Sequence, residues 1–84
     1  MTVYVDDSRI PWRGWRMSHL TADTEDELHA FATSIGLRRS WFQGGRHPHY
    51  DVTDSKRAEA IRLGAVSETW REAARRTIKA RANA

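Results

Sequence analysis

The sequence predicts an α+β fold: a small sheet of three to four short strands covered by two helices, with a basic third helix at the C-terminus. Three observations carry that expectation. Short β-branched or aromatic runs at residues 2–5, 40–43 and 49–53 have the length and composition of strands, with a candidate fourth at 17–21. Two segments, 24–36 and 53–64, begin on a capping residue and end on a glycine, as helices do. A third, 67–82, sets apolar residues at helical spacing against Lys and Arg.

The first strand, Thr2 to Val5, ends in Asp6-Asp7. In open α/β sheets the C-terminal strand ends are where ligands bind, and one of two adjacent residues faces inward. Asp6 is therefore a candidate site carboxylate, and Asp7 is expected to end the strand in water. Residues 8–16 read as a connector broken by Pro11 and Gly14. Its Trp12 and Trp15 are expected to pack over the small core, because Trp is strongly buried on average. Interleaved with Arg9, Arg13 and Arg16, Trp12 is also a candidate for stacking on a base. In the segment 17–21, Met17, His19 and Thr21 share one face and Ser18 and Leu20 the other.

The first helix opens on a capping box, Thr24-Glu-Asp-Glu27. Leu28, Phe31, Ala32 and Ile35 form its apolar face, and Gly36-Leu37 fits a Schellman-type stop. His29 lies beside that face and is expected at the surface. Ser40 to Gln43 reads as a strand, Gly44 to Pro48 as a turn, and His49 to Thr53 as the returning strand of a hairpin. Thr53 or Asp54 caps the second helix, with Ala58, Ile61 and Ala65 inward and Gly64 as its end. Ser67 is expected to cap the third helix. Its apolar side holds Trp70, Ala73, Ala74, Thr77 and Ile78; its basic side holds Arg71, Arg75, Arg76, Lys79 and Arg81.

At 84 residues the chain is one domain. Residues 1–66 make the α+β core and 67–82 the basic helix. A chain this short buries roughly 60–65% of its unfolded surface, so a sizeable cleft is expected on the surface or between subunits rather than in a deep interior. No cysteine is present, which excludes disulfides and zinc–thiolate sites and leaves His, Asp and Glu as metal ligands. The N-terminus lacks a basic region followed by an apolar run, and no stretch is apolar enough to cross a membrane; a cytoplasmic protein is expected. The net charge of +3 is uneven: residues 54–84 carry eight Lys/Arg against four acids, residues 1–53 six against seven. A basic helix points weakly to nucleic acid.

The chemistry concentrates in His47-Pro48-His49-Tyr50-Asp51. Pro48 forces an extended backbone on His47. In an extended segment His47, His49 and Asp51 line one face and Tyr50 the other. His47, His49 and Asp51 are thus the candidate ligands of a divalent metal ion. His49 and Asp51, with the distant His19 and Asp6, are the candidate catalytic groups. Arg46 and Tyr50, with Trp12, are candidates for substrate binding. A bound ion would activate water for hydrolysis of a phosphodiester or nucleotide. Without metal, His49 would act as general base and Asp51 would orient it. The structural alternative is that these side chains cap, pack and hydrogen-bond without chemistry. Convergence of Asp6, His19 and His49 within about 5 Å would separate the two. A non-catalytic nucleic-acid module and a protein-binding module anchored by the four Trp are the competing classes, and an exposed Trp70 would favour a homodimer.

Taken together, the blocks Thr2 to Asp7, Trp15 to Asp23, Asp26 to Phe31, Gly36 to Arg39, Trp41-Phe-Gln-Gly44 and His47 to Thr53 resemble the family called domain of unknown function 4031. The resemblance covers most of residues 1–72, and its most specific blocks are Trp-Phe-Gln-Gly and Pro-His-Tyr-Asp. It implies a bacterial or phage origin, and with it a host protein as a candidate partner. It brings no catalytic residues, and the tail past Glu72 is expected to lie outside the shared pattern.

Overall fold

The computed structural model describes residues 2–82. The elements run β1 (Val3–Val5), β2 (Ile10–Trp12), β3 (Trp15–Ala22), α1 (Glu25–Ser34), a 3-10 turn (Arg39–Trp41), β4 (Tyr50–Thr53), α2 (Asp54–Arg62), β5 (Val66–Ser67) and α3 (Trp70–Ala82). The fold is α+β, with a mixed sheet of five strands and three helices.

The eight-residue β3 organises the sheet. Leu20 pairs with both Val5 and Tyr50, and Met17 with both Ile10 and Thr53. Strands β1 and β2 therefore lie end to end along one edge of β3, with β4 along the other. All three are antiparallel to it, and β5 adds in parallel to β1. The side-chain alternation expected at 17–21 holds: Ser18 and Leu20 are buried, and Met17, His19 and Thr21 face the other way. Val5, Leu20, Tyr50 and Val52 meet Leu28 and Ala32 of α1, the Ile35 that caps it, and Ala60 of α2 in one core. The opposite face of the sheet is left for other uses.

Within residues 8–16, expected as a connector, the stretch from Ile10 onward forms a β-hairpin. Trp12 pairs with Trp15 across a two-residue turn in which Arg13 and Gly14 both have positive φ, 48° and 83°. That geometry suits the twist of paired strands but usually carries Asn-Gly, and an Arg in its first position hides the signal. Pro11 is tolerated because β2 is short and exposed. The two indoles project from this hairpin and are more than half exposed, 54% and 58%, so they do not cover the core.

The capping signals translate directly. The Thr24 hydroxyl accepts from the Glu27 amide at 3.2 Å and donates to its carboxylate at 3.1 Å. At the other end, Gly36 (φ 82°) lets the Leu37 amide reach the Ala32 carbonyl at 2.9 Å and its own amide reach Thr33 at 3.0 Å, a Schellman closure. Thr53 caps α2, accepting from the Lys56 amide. Ala60, not Ala58, is the residue that α2 buries.

Three further expectations change. Residues 39–41 coil into a 3-10 turn, and Gln43 makes only an isolated bridge to His49, so 40–43 is not a strand. Ser67 belongs to β5; the cap of α3 is Thr69, which accepts from the Glu72 amide at 3.1 Å while Glu72 accepts from the Thr69 amide at 2.8 Å. Arg76 does not join the solvated basic face. Its guanidinium lies 3.7 Å from the Tyr4 ring centroid, pairs with Glu68 at 2.8 Å and donates to Thr21. This clasp sets α3 beside the open face of the sheet, with Trp70 53% exposed. Among the described residues no helix is long and apolar enough to cross a membrane.

A residue with a Cβ is strained at φ 82°, and a Cβ at position 36 would also stand 3.4 Å from Lys56 Nζ. Gly36→Ala is expected to cost about 1–2 kcal/mol, read as a lower midpoint of urea unfolding at unchanged slope.

Candidate functional site

Strand register builds the site. Asp6 follows Val5 and continues the ladder, its amide donating to the His19 carbonyl at 3.1 Å. His19 is paired across β3–β4 with Asp51. Asp6, His19 and Asp51 therefore form a row across the open face, and His49, two residues before Asp51, stands on the same side.

Asp6 is the most constrained member, 5% exposed. Its Oδ1 accepts from the Ser8 amide at 3.1 Å, the Ser8 hydroxyl at 2.8 Å and the His19 amide at 2.9 Å. Its Oδ2 receives His19 Nδ1 at 2.8 Å. Burial by itself pushes the Asp6 carboxyl up. The donors on His19 and Ser8 outweigh it and hold the group at about 2. The same bond raises His19 above its ordinary value; burial opposes this, and the charges of Asp6 and Asp51 add to it.

The two site imidazoles are anchored alike. His49 Nδ1 lies 2.7 Å from the His47 carbonyl, which can only accept, so Nδ1 carries the hydrogen. His19 Nδ1 is committed to Asp6. In both rings Nε2 is the nitrogen left for another task. His49 Nε2 stands 3.4 Å from Asp51 Oδ1, while Asp51 Oδ2 accepts from Gln43 Nε2 at 2.8 Å. The rings of His19 and His49 meet edge to face, centroids 5.1 Å apart. One ligand atom from each of His19, His49 and Asp51 lies within 4.8 Å of the other two. Two imidazoles and a carboxylate at that separation are a donor set for a divalent ion of the zinc, manganese or iron type.

Asp6, His19, His49 and Asp51, named from the sequence, are thus brought together. His47 takes a different place from the one expected. Residues 45–47 bend, which breaks the extended line, and the residue that groups with His49 and Asp51 is His19, across the sheet. The His47 backbone orients His49, and its side chain lines a groove of about 810 Å³ between the open face and α3. His19, His49, Asp6 and Trp70 line the same groove. Tyr50 points the other way, 1% exposed in the core, where no ligand in the groove reaches it. Its hydroxyl meets His29 Nδ1 at 2.8 Å. His29 is correspondingly not a surface residue: it packs against Phe42 and Tyr50, and its Nε2 is buried without a hydrogen-bond partner. Arg46 is exposed in the turn before His47. Trp12 stands in a second cleft, of about 570 Å³, that also reaches Gln43 and Asp51.

Gln43 and Ser8 had no separate signal in the sequence, since neither residue type is diagnostic and both act through pairing. Asp7, expected to stand in water, is exposed but accepts from the Trp70 amide at 2.8 Å and so helps to hold the start of α3.

Fold and site together define a small α+β domain with a His/carboxylate cluster on the uncovered face of its sheet. The chain belongs to a family of proteins of unknown function (DUF4031), whose model matches residues 3–80. The match runs past Glu72, so most of α3 belongs to the shared pattern, contrary to the expectation from the sequence blocks. Comparison with curated proteins and with solved structures gives no match.

The Asp6–His19 pair makes stability depend on pH in a defined way. A lowered Asp6 contributes stability above its unfolded value of 3.8 and loses it as pH falls through about 2. A raised His19 contributes fully below 6.5 and loses it as pH climbs through its folded value. In chelator-treated buffer, unfolding free energy is expected to peak between these limits. The acid limb is worth on the order of 2 kcal/mol. Asp6→Asn should flatten that limb and return the His19 titration, followed by NMR, towards 6.5.

Proposed function

We propose that the protein is a metal-dependent hydrolase acting on a phosphodiester or nucleotide, with a divalent ion held by His19, His49 and Asp51. The observation that carries this reading is the anchoring of all three side chains. His19 is held through Nδ1 by Asp6, His49 through Nδ1 by the His47 carbonyl, and Asp51 by the Gln43 amide. Metal-binding imidazoles characteristically give their other nitrogen to a carboxylate or carbonyl, which fixes the ring and raises its basicity.

Three protein ligands leave coordination positions open, and an ion there would acidify a bound water and polarise a phosphoryl oxygen. The chain's own groups do the rest. His19, His49 and Asp51 fix the centre on a rigid sheet, and Asp6 strengthens His19 as a donor. Arg46, on the adjoining turn, is assigned to neutralise the phosphate. In the reaction the water oxygen forms a bond to phosphorus, the ester P–O bond breaks, and the leaving oxygen departs with a proton. A basic chain, +3 overall, suits an anionic substrate.

Calorimetric titration of the chelator-treated protein with zinc and with manganese should show one ion per chain. His19→Ala, His49→Ala and Asp51→Ala should each abolish binding, and Asp6→Asn or Gln43→Ala should weaken it roughly 10–100-fold. The loaded protein should hydrolyse bis(p-nitrophenyl) phosphate. Failure to bind either ion removes the metal centre from the proposal. Binding without turnover of phosphodiesters removes the hydrolase.

A further inference from the structure

The cleft on the far side of Asp51 has a composition of its own. Trp12 and Trp15, from the β2–β3 hairpin, and Trp41, from the 3-10 turn, are all more than half exposed and line it together with Met17, Gln43 and Asp51. Trp is highly buried on average, so three open indoles in one cleft are not explained by the core. Each outer ring carries a cation. The Arg13 guanidinium stands 4.9 Å from the Trp12 centroid, and Arg38 5.8 Å from Trp41. Elsewhere Arg9 and Arg76 are neutralised by Asp54 and Glu68. Among the described residues Arg13 and Arg38 form no ion pair.

We infer that this cleft binds single-stranded nucleic acid, with bases stacked on Trp12, Trp15 and Trp41 and phosphates met by Arg13 and Arg38. Open aromatic faces beside uncompensated cations are the means by which proteins hold single strands without reading sequence. A duplex keeps its bases inside the stack, where the indoles cannot reach them. A neutral sugar chain offers the two guanidiniums no charge to pair with. A strand lying in the cleft carries a phosphodiester at every step, and the cleft runs directly to Asp51, so a bound strand delivers a scissile bond to the proposed metal centre. That last placement rests on the hydrolase reading; the binding itself does not.

The turn supplies a clean variant. Arg13 occupies a left-handed position that Asn adopts more readily, so Arg13→Asn removes the cation and keeps the hairpin. Fluorescence anisotropy with a labelled short oligothymidine, in chelator and at low salt, should show binding at least tenfold tighter than to a duplex of equal length. Trp12→Ala and Trp41→Ala should each weaken it roughly 5- to 150-fold. Arg13→Asn should lower the slope of log affinity against log salt by about 0.7. Trp70→Ala, outside this cleft, should leave binding unchanged. Equal affinity for duplex, no binding at low salt, or an equal loss in Trp70→Ala would overturn the inference. Because chelator is present throughout, this readout is independent of whether the metal centre turns over phosphodiesters.

Discussion

A carboxylate buried to 5% exposure at the end of a strand must be supplied with donors or lose its charge, and the surroundings of Asp6 answer that demand. Ser8 turns back to it, His19 presents both its amide and its ring, and the Asp6 carbonyl is taken by Arg57 from α2 at 2.7 Å. The neighbouring Asp7 receives the first amide of α3. Two adjacent acids thus join β1, β3, α2 and α3 at one point. The charge on Asp6 orients His19, and His19 in turn faces Asp51 and His49 on the next strand. Structure and candidate chemistry depend on the same hydrogen bonds.

The division of the sheet into two faces follows from size. A short chain has enough apolar surface for one core, and α1 and α2 supply it against Leu20, Tyr50 and Val52. The other face is therefore free to carry His, Asp and Thr. The third helix flanks this face rather than sealing it, fixed through Arg76, Glu68 and Tyr4. What results is an open groove on one side of the His/Asp cluster and an indole-lined cleft on the other, where Asp51 in the cleft stands 3.4 Å from His49 in the groove.

Local signals were legible in the sequence and long-range ones were not. The Thr24 box, the Gly36 stop and the Thr53 cap act within a few residues, so composition reveals them. The alternation of Ser18 and Leu20 against His19, and of Tyr50 against Asp51, is equally local. Misreadings arose where pairing decides. Arg13-Gly14 closes a hairpin because Ile10 to Trp12 pair with the first three residues of β3, not because Arg favours that turn. Residues 40–43 have strand composition but find no continuous partner, and coil instead. His29 reads as a surface residue because nothing in α1 announces that Tyr50, on another element, meets it. The candidate cluster shows both sides: spacing places His49 and Asp51 on one face, whereas the grouping of His19 rather than His47 with them depends on a register that no local pattern encodes.

The central claim is that His19 and His49 are each anchored through Nδ1 so that both Nε2 atoms converge with Asp51 on one ion. Long-range proton–nitrogen NMR of the imidazoles, recorded before and after zinc addition, reads this directly. Both rings should carry hydrogen on Nδ1 in the loaded protein, and their Nε2 resonances alone should move on loading, with His29 and His47 unchanged. A zinc-dependent shift at His47 Nε2, or His49 protonated on Nε2, would contradict it.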